Sequence, residues 1–313
     1  MSLHTKVLEK LAARPTRLHH YLWHQLRNTW DLGALTDDQK KEVDKCKWKP
    51  PRPAINSSGW VLSNGAGIDF LFMHRKMIKV VKEITKNNNG TDAEMQAVSG
   101  WRRVPNPAST EYPVPAAWEI YGEPYTRTLA NLKEDYYYYA LMREWESKYR
   151  DFRYLKGMPL GELGARIEST IHNNMHMRWS DRPWDPRTGK PEPGMGRPDT
   201  DIHKMWDSPS YDWLGDSYSS HVNPVFWKLH GWVDDRVEDW YAANKNDYQI
   251  SPLELRGVNW YSGSLIEVND PWSGGMDFDH QSQGARDHHF HKMEQVAEIV
   301  AGQRTHYHFY DEY

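Results

Sequence analysis

Two stretches of this chain repeat one arrangement: histidines four residues apart in an apolar helical run, then a lone histidine about fifty residues later, inside another apolar run. The first set is His20 and His24 with His74, and the second is His172 and His176 with His230. Histidines at that spacing project from one face of a helix and can chelate a single metal ion. The chain has 16 histidines in 313 residues, so chance alone supplies about one such pair. Two copies of the whole pattern are harder to dismiss, and they call for several helices packed with their histidines turned inwards.

The periodicity supplies those helices. Leu18, Tyr21, Leu22, Leu26 and Trp30 recur at helical spacing around the first pair. Thr36 followed by Gln39 reads as a capping box opening a short helix, and residues 49–67 read as loop. From about Ile68 to Ile84 a helix carries Phe70, Met73, Met77, Val80, Val81 and Ile84 on its inner stripe, with His74 in its middle. Residues 87–117 look like loop again. A long helix is predicted from about Leu129, on which Tyr136 to Tyr139 read as packing residues. Leu163 to Trp179 is a helix bearing His172 and His176, and residues 180–220 lack any period. Asn223 before Pro224 is a helix start, a capping side chain followed by proline in the first turn, and His230 lies on that helix's buried side. After Asn246 come short strand-like pieces, then a histidine-dense helix near Ala285 to Ala301. The fold expected is mainly α, a helical bundle with long loops and few short strands. It is read as a single domain over residues 1–313, with residues 280–313 as a C-terminal helix and tail over the site.

Composition narrows the chemistry. The net charge of −4 comes with dispersed basic residues, which gives no footprint for nucleic acid. The single cysteine, Cys46, excludes a disulfide within the chain and any multi-cysteine zinc or iron–sulfur site. Ligands must then be histidine or carboxylate, and an all-imidazole site points to copper or zinc. The N-terminal segment lacks the apolar core of a secretory signal and no stretch is long enough for a membrane span. A soluble, cytoplasmic protein without a membrane partner is expected, and a homo-oligomer is left open.

The local sequence carries a resemblance. HNNMH, followed after a long loop by SSHVNPVFWKLHGWVDDRVEDW, resembles the second copper motif of the tyrosinase, catechol oxidase and haemocyanin family, H-N-x-x-H and then D-P-x-F-x-x-H-H-x-x-x-D. The resemblance implies a tyrosinase-like bundle with His172, His176 and His230 as ligands of copper B. Asn223 stands where the family has Asp, and Leu229 replaces the first histidine of the double-histidine. Asp234 matches the family's Asp and is expected to orient a ligand imidazole. Upstream, IDFLFMHRKMIKVVKE is similar to the family's F-L-P-W-H-R-x-x-L-x-x-x-E and implies His74 as a ligand of copper A. The family's histidine nine residues earlier is Gly65 here, and none lies between His24 and His74. Either His20 and His24 complete copper A, as the likeness of LHHYLWHQL to arthropod haemocyanins implies, or copper A is depleted and one ion remains. The resemblance covers residues 60–84 and 160–245.

Family chemistry implies oxidation of a phenol, catechol or o-aminophenol with dioxygen in secondary metabolism, on a small molecule or a peptide tyrosine. A non-catalytic or mononuclear copper protein is the alternative. Hydroxylating a phenol also needs a base, in the family a water held by a glutamate and an asparagine. Glu162 and Glu168 are the candidates here, with Asn173 as partner. His221 is open between pocket residue, substitute ligand and loop side chain. His280, His288, His289, His291, His306 and His308 could supply a missing ligand, and Tyr307 or Tyr310 could sit in the site, as a terminal tyrosine does in some tyrosinase relatives.

Overall fold

Helices begin where the sequence offers caps. In the computed structural model, which describes residues 2–120, 122–191, 196–198, 201–274 and 283–301, α1 (Thr5–Ala12) follows a capping His4 and α2 (Arg14–Thr29) has proline in its first turn. Thr36 and Gln39 form the expected reciprocal box at the start of α3 (Asp37–Lys45). A short hairpin, β1 (Ile55–Asn56) with β2 (Gly59–Trp60), leads to α4 (Ala66–Asn87). A second reciprocal box, Thr91 with Glu94, opens α5 (Asp92–Ala97). That stretch was expected to be loop: the helix is six residues long, too short to show a period, although its box is visible in the sequence.

The long helix expected from Leu129 is broken. α6 (Tyr125–Lys133) stops at Glu134, whose backbone is extended, before α7 (Asp135–Tyr137), a π-helical turn (Tyr138–Met142) and α8 (Arg143–Lys148). The buried Arg178 takes the carbonyls of Leu132 and Glu134 at 2.6 and 2.9 Å, which removes them from the helical ladder. Of the four consecutive tyrosines, Tyr138 is buried, but Tyr136 and Tyr139 are exposed, so packing describes only part of the run.

After α9 (Phe152–Leu155), one continuous helical path is made by α10 (Leu160–Ile167), a π-helical turn (Glu168–His172) and α11 (Asn173–Trp179). The region 180–220 contains the two-residue strands β3 (Trp184–Asp185) and β4 (Lys190–Pro191) and a 3-10 turn at Lys204–Asp207, and it buries Trp206, Tyr211, Trp213 and Tyr218. Asn223 caps α12 (Pro224–Asn244) by accepting from Val225 N at 2.9 Å. The antiparallel hairpin β5 (Ile250–Leu255) and β6 (Val258–Gly263) turns through Arg256 and Gly257, both at positive φ. α13 (Gln283–Ala301) packs on α2.

The fold is mainly helical, and α2, α4, α10–α11 and α12 enclose the histidines. α4 and α10 meet backbone to backbone: a Cβ on Gly67 would come within 2.1 Å of the Gly161 carbonyl, and one on Gly164 within 2.2 Å of the Gly67 carbonyl. Arg75 fastens α4 to α12 through Asp234 at 2.6 Å and Glu238 at 2.8 Å, and to the hairpin through the carbonyl of Asn259. Among the described residues no helix is long and apolar enough to cross a membrane.

Candidate metal centre

Helical spacing puts His20 and His24 on one face of α2, with ring centroids 4.7 Å apart, and His172 and His176 likewise at 4.6 Å. α4 brings His74 to the first pair and α12 brings His230 to the second. Each trio offers three ligand atoms within 4.8 Å of one another, and each could hold a metal ion.

The trio of His172, His176 and His230 is the tighter. Its three Nε2 atoms are 3.1, 3.2 and 3.3 Å apart. At a metal–nitrogen distance of about 2.0 Å, two corners of a tetrahedron lie about 3.3 Å apart, so the nitrogens already stand as one face of a metal's coordination shell. In the trio of His20, His24 and His74 the buried Nε2 atoms of His20 and His74 have no hydrogen-bond partner. A buried polar atom without a partner is costly, and a metal ion would satisfy both. The two trios face each other, with the rings of His74 and His230 stacked at 4.0 Å and 13°.

The far nitrogens explain how the rings are aimed. Nδ1 of His74 donates to the carbonyl of Phe70 at 2.8 Å, His176 to that of Leu214 at 2.9 Å and His20 to that of Ser217 at 2.5 Å. A carbonyl can only accept, so in each ring the proton sits on Nδ1 and the lone pair on Nε2. His172 Nδ1 meets the Asn173 side chain at 3.1 Å. Burial keeps the rings neutral: it pushes His20 and His176 down to about 4, and His24, His74, His172 and His230 well below the usual histidine value, with neighbouring histidines adding to the shift in all but His176. Neutral imidazole is the form that binds a metal. Phe226 packs on the cluster, 3.9 Å from the His230 ring and 5.4 Å from that of His20, and Phe70 lies 4.8 Å from His172. His24 and His176 are the least buried member of each trio.

The three carboxylates expected in supporting roles each meet an arginine. Glu168 is buried in a two-pronged ion pair with Arg27 at 2.7 and 3.0 Å, and Arg27 also donates to the carbonyl of Ala66 and lies over Trp23. Glu162 pairs with Arg166 one turn along its own helix at 2.7 Å. Asp234 turns to Arg75 instead of His230, and His230 Nδ1 is left without a partner. In each case an arginine competes for the carboxylate; the i, i+4 spacing announces the Glu162–Arg166 pair, but nothing in the linear spacing announces the other two.

His221 is buried. It donates from Nε2 to the carbonyl of Leu11 at 3.1 Å and presents Nδ1 to His20 Nδ1 at 3.2 Å, so it stands behind a ligand and joins neither trio. His289 lies against Trp48 and His291 near Gln295; neither they nor His288 enters a trio. His280, His306, His308, Tyr307 and Tyr310 lie outside the described residues. The carbonyls of Leu214 and Ser217 were missed because a backbone acceptor leaves no mark in the sequence. A cleft of about 220 Å³ is lined by Asp181, Trp184, Tyr211, Asp212, Trp213 and Leu214, among others. It shares Leu214, the residue whose carbonyl accepts from His176 Nδ1, and none of the trio histidines lines it.

No protein-family model matches the chain, and no curated protein matches it. The functional reading therefore stands on the geometry of the two trios.

Proposed function

We propose that the chain binds two copper ions, one in each histidine trio, and uses them with dioxygen to oxidise a catechol, an o-aminophenol or a related phenol. The observation that carries this reading is the pair of facing three-imidazole groups, joined by the stacked rings of His74 and His230. Neither group contains a carboxylate or thiolate, which favours copper over harder ions. Charge favours cuprous copper further. Six neutral ligands offset nothing, and two monocations repel with a quarter of the energy of two dications at the same distance.

When bound, such a copper pair supplies a two-electron store that reduces dioxygen. The chain's own residues do the rest. His20, His74 and His176 are held by carbonyls with Nε2 free. Phe70 and Phe226 keep water from the inner rings, and the less buried His24 and His176 mark the side a planar substrate approaches. Two catechols release four electrons and four protons, which convert one dioxygen to two waters and leave two quinones. Since Glu162 and Glu168 are both paired with arginines, neither of these two carboxylates is free to hold the base that phenol hydroxylation requires, and the reading leans to oxidation of ortho-diphenols and o-aminophenols.

Oxygen uptake by copper-loaded protein with a panel of catechols and o-aminophenols tests this. Uptake of about one dioxygen per two quinones, abolished by a copper chelator, is expected. Two bound coppers without uptake on any substrate would make the protein a binder or carrier. The wider spacing of the His20 trio favours a second reading, a single copper held by His172, His176 and His230.

A further inference from the structure

The two trios share one support. His176 of one and His20 of the other donate to carbonyls three residues apart, those of Leu214 and Ser217. Both contacts fix the tautomer that aims Nε2 at the other ligands, so residues 214–217 touch one ligand of each site.

Asp216 sets the shape of that loop. Its carboxylate accepts from Arg197 at 3.1 and 3.2 Å, from the Tyr211 hydroxyl at 2.9 Å and from the backbone N of Tyr218 at 2.9 Å. Its carbonyl accepts from the backbone of Ser219 and Ser220 at 2.9 and 2.7 Å. Arg197 and Asp216 are both buried, and the Arg197 guanidinium lies near the rings of Tyr21 and Tyr218, at 4.8 and 4.7 Å. Tyr21 follows His20 on α2, so the ion pair is tied both to the loop and to the helix of the first trio. A buried ion pair is a weak source of net stability but demanding in geometry, and demanding geometry is what a support for metal ligands requires.

We infer that Arg197 and Asp216 are positioning residues for both metal sites at once: by fixing residues 214–217 they aim His176 and His20 together. The inference rests on metal binding by the two trios. Its test titrates cuprous ion against a competing chelator in the wild type, in Asp216→Asn and in the milder Tyr211→Phe, each verified as folded by circular dichroism. Asp216→Asn is expected to weaken both coppers by about 10- to 100-fold, and Tyr211→Phe to weaken both by a smaller factor. In metal-free protein, ring-nitrogen NMR is expected to show the Nδ1-protonated tautomer of both His20 and His176 in the wild type and its loss at both in Asp216→Asn. If Asp216→Asn does not fold, Tyr211→Phe decides. A folded variant in which one site or neither weakens, beside a wild type with two coppers, overturns this inference alone. A wild type that binds fewer than two coppers overturns the metal reading and this inference with it.

Discussion

In the trio of His172, His176 and His230 the lone histidine comes to 4.8 and 5.3 Å from the paired rings, whereas in the trio of His20, His24 and His74 it comes only to 5.9 and 5.5 Å. The pairs themselves hardly differ, at 4.6 and 4.7 Å. Helix periodicity sets the spacing within a pair, which is why both pairs agree. The approach of the third ring is set by how α12 packs near α11 and how α4 packs near α2, and that is a tertiary matter. The tighter trio already holds its nitrogens at coordination spacing without help, while the wider one needs the ion, or a shift of α4 against α2, to close.

This contrast yields predictions of decreasing size. His74→Ala and His230→Ala should each leave one copper site. The copper retained by His74→Ala, in the tighter trio, should bind about 10- to 100-fold more strongly than the one retained by His230→Ala, as a chelator competition would read. Equal affinities, or the reverse order, would remove the contrast.

Arg27→Met strands the buried Glu168, and with it the link between α2 and the π-helical turn that carries His172. It should cost about 3–5 kcal/mol and lower the melting temperature by about 10 °C, and replacing Glu168 as well should recover much of the loss. A single variant that melts with the wild type would show that the two sites are not joined there.

Acid should act on both trios together. Burial depresses His20 and His176 to about 4, below the unfolded value of about 6.5, so between those values the unfolded chain binds protons that the folded chain refuses. Stability of the metal-free protein should therefore be flat above pH of about 6.5 and fall as the pH drops towards 4, by up to about 3 kcal/mol for each of these two histidines. Urea unfolding across that range measures the slope, and a flat profile down to pH 5 would mean the rings are not buried neutral. The smallest effect belongs to Glu162→Gln, whose carboxylate pairs with Arg166 where both side chains are about a third exposed. Its loss should change stability by less than about 1 kcal/mol and leave oxygen uptake intact, whereas a large loss of turnover would restore Glu162 as the holder of a water.

Much of the site was legible in the sequence because it is built from local rules. The i, i+4 pairs, the Asn223–Pro224 helix start and the Thr36–Gln39 box are features of a few consecutive residues, and each is found in place. His74 and His230 could be placed on buried helix faces by period alone. The partners of Glu168 and Asp234 could not, because Arg27 and Arg75 reach them from 141 and 159 residues away. The loop at 214–217 was invisible for another reason: its contribution comes from backbone carbonyls, which every residue has.

The central claim, that the two trios form one dinuclear site, is tested most directly by electron paramagnetic resonance of the protein loaded with cupric ion to saturation, alongside elemental copper per chain. About two coppers with most of the spin intensity missing is predicted, since ions on the order of 4 Å apart couple their spins. Two coppers with full cupric intensity, or a single copper that His74→Ala leaves untouched, would contradict it.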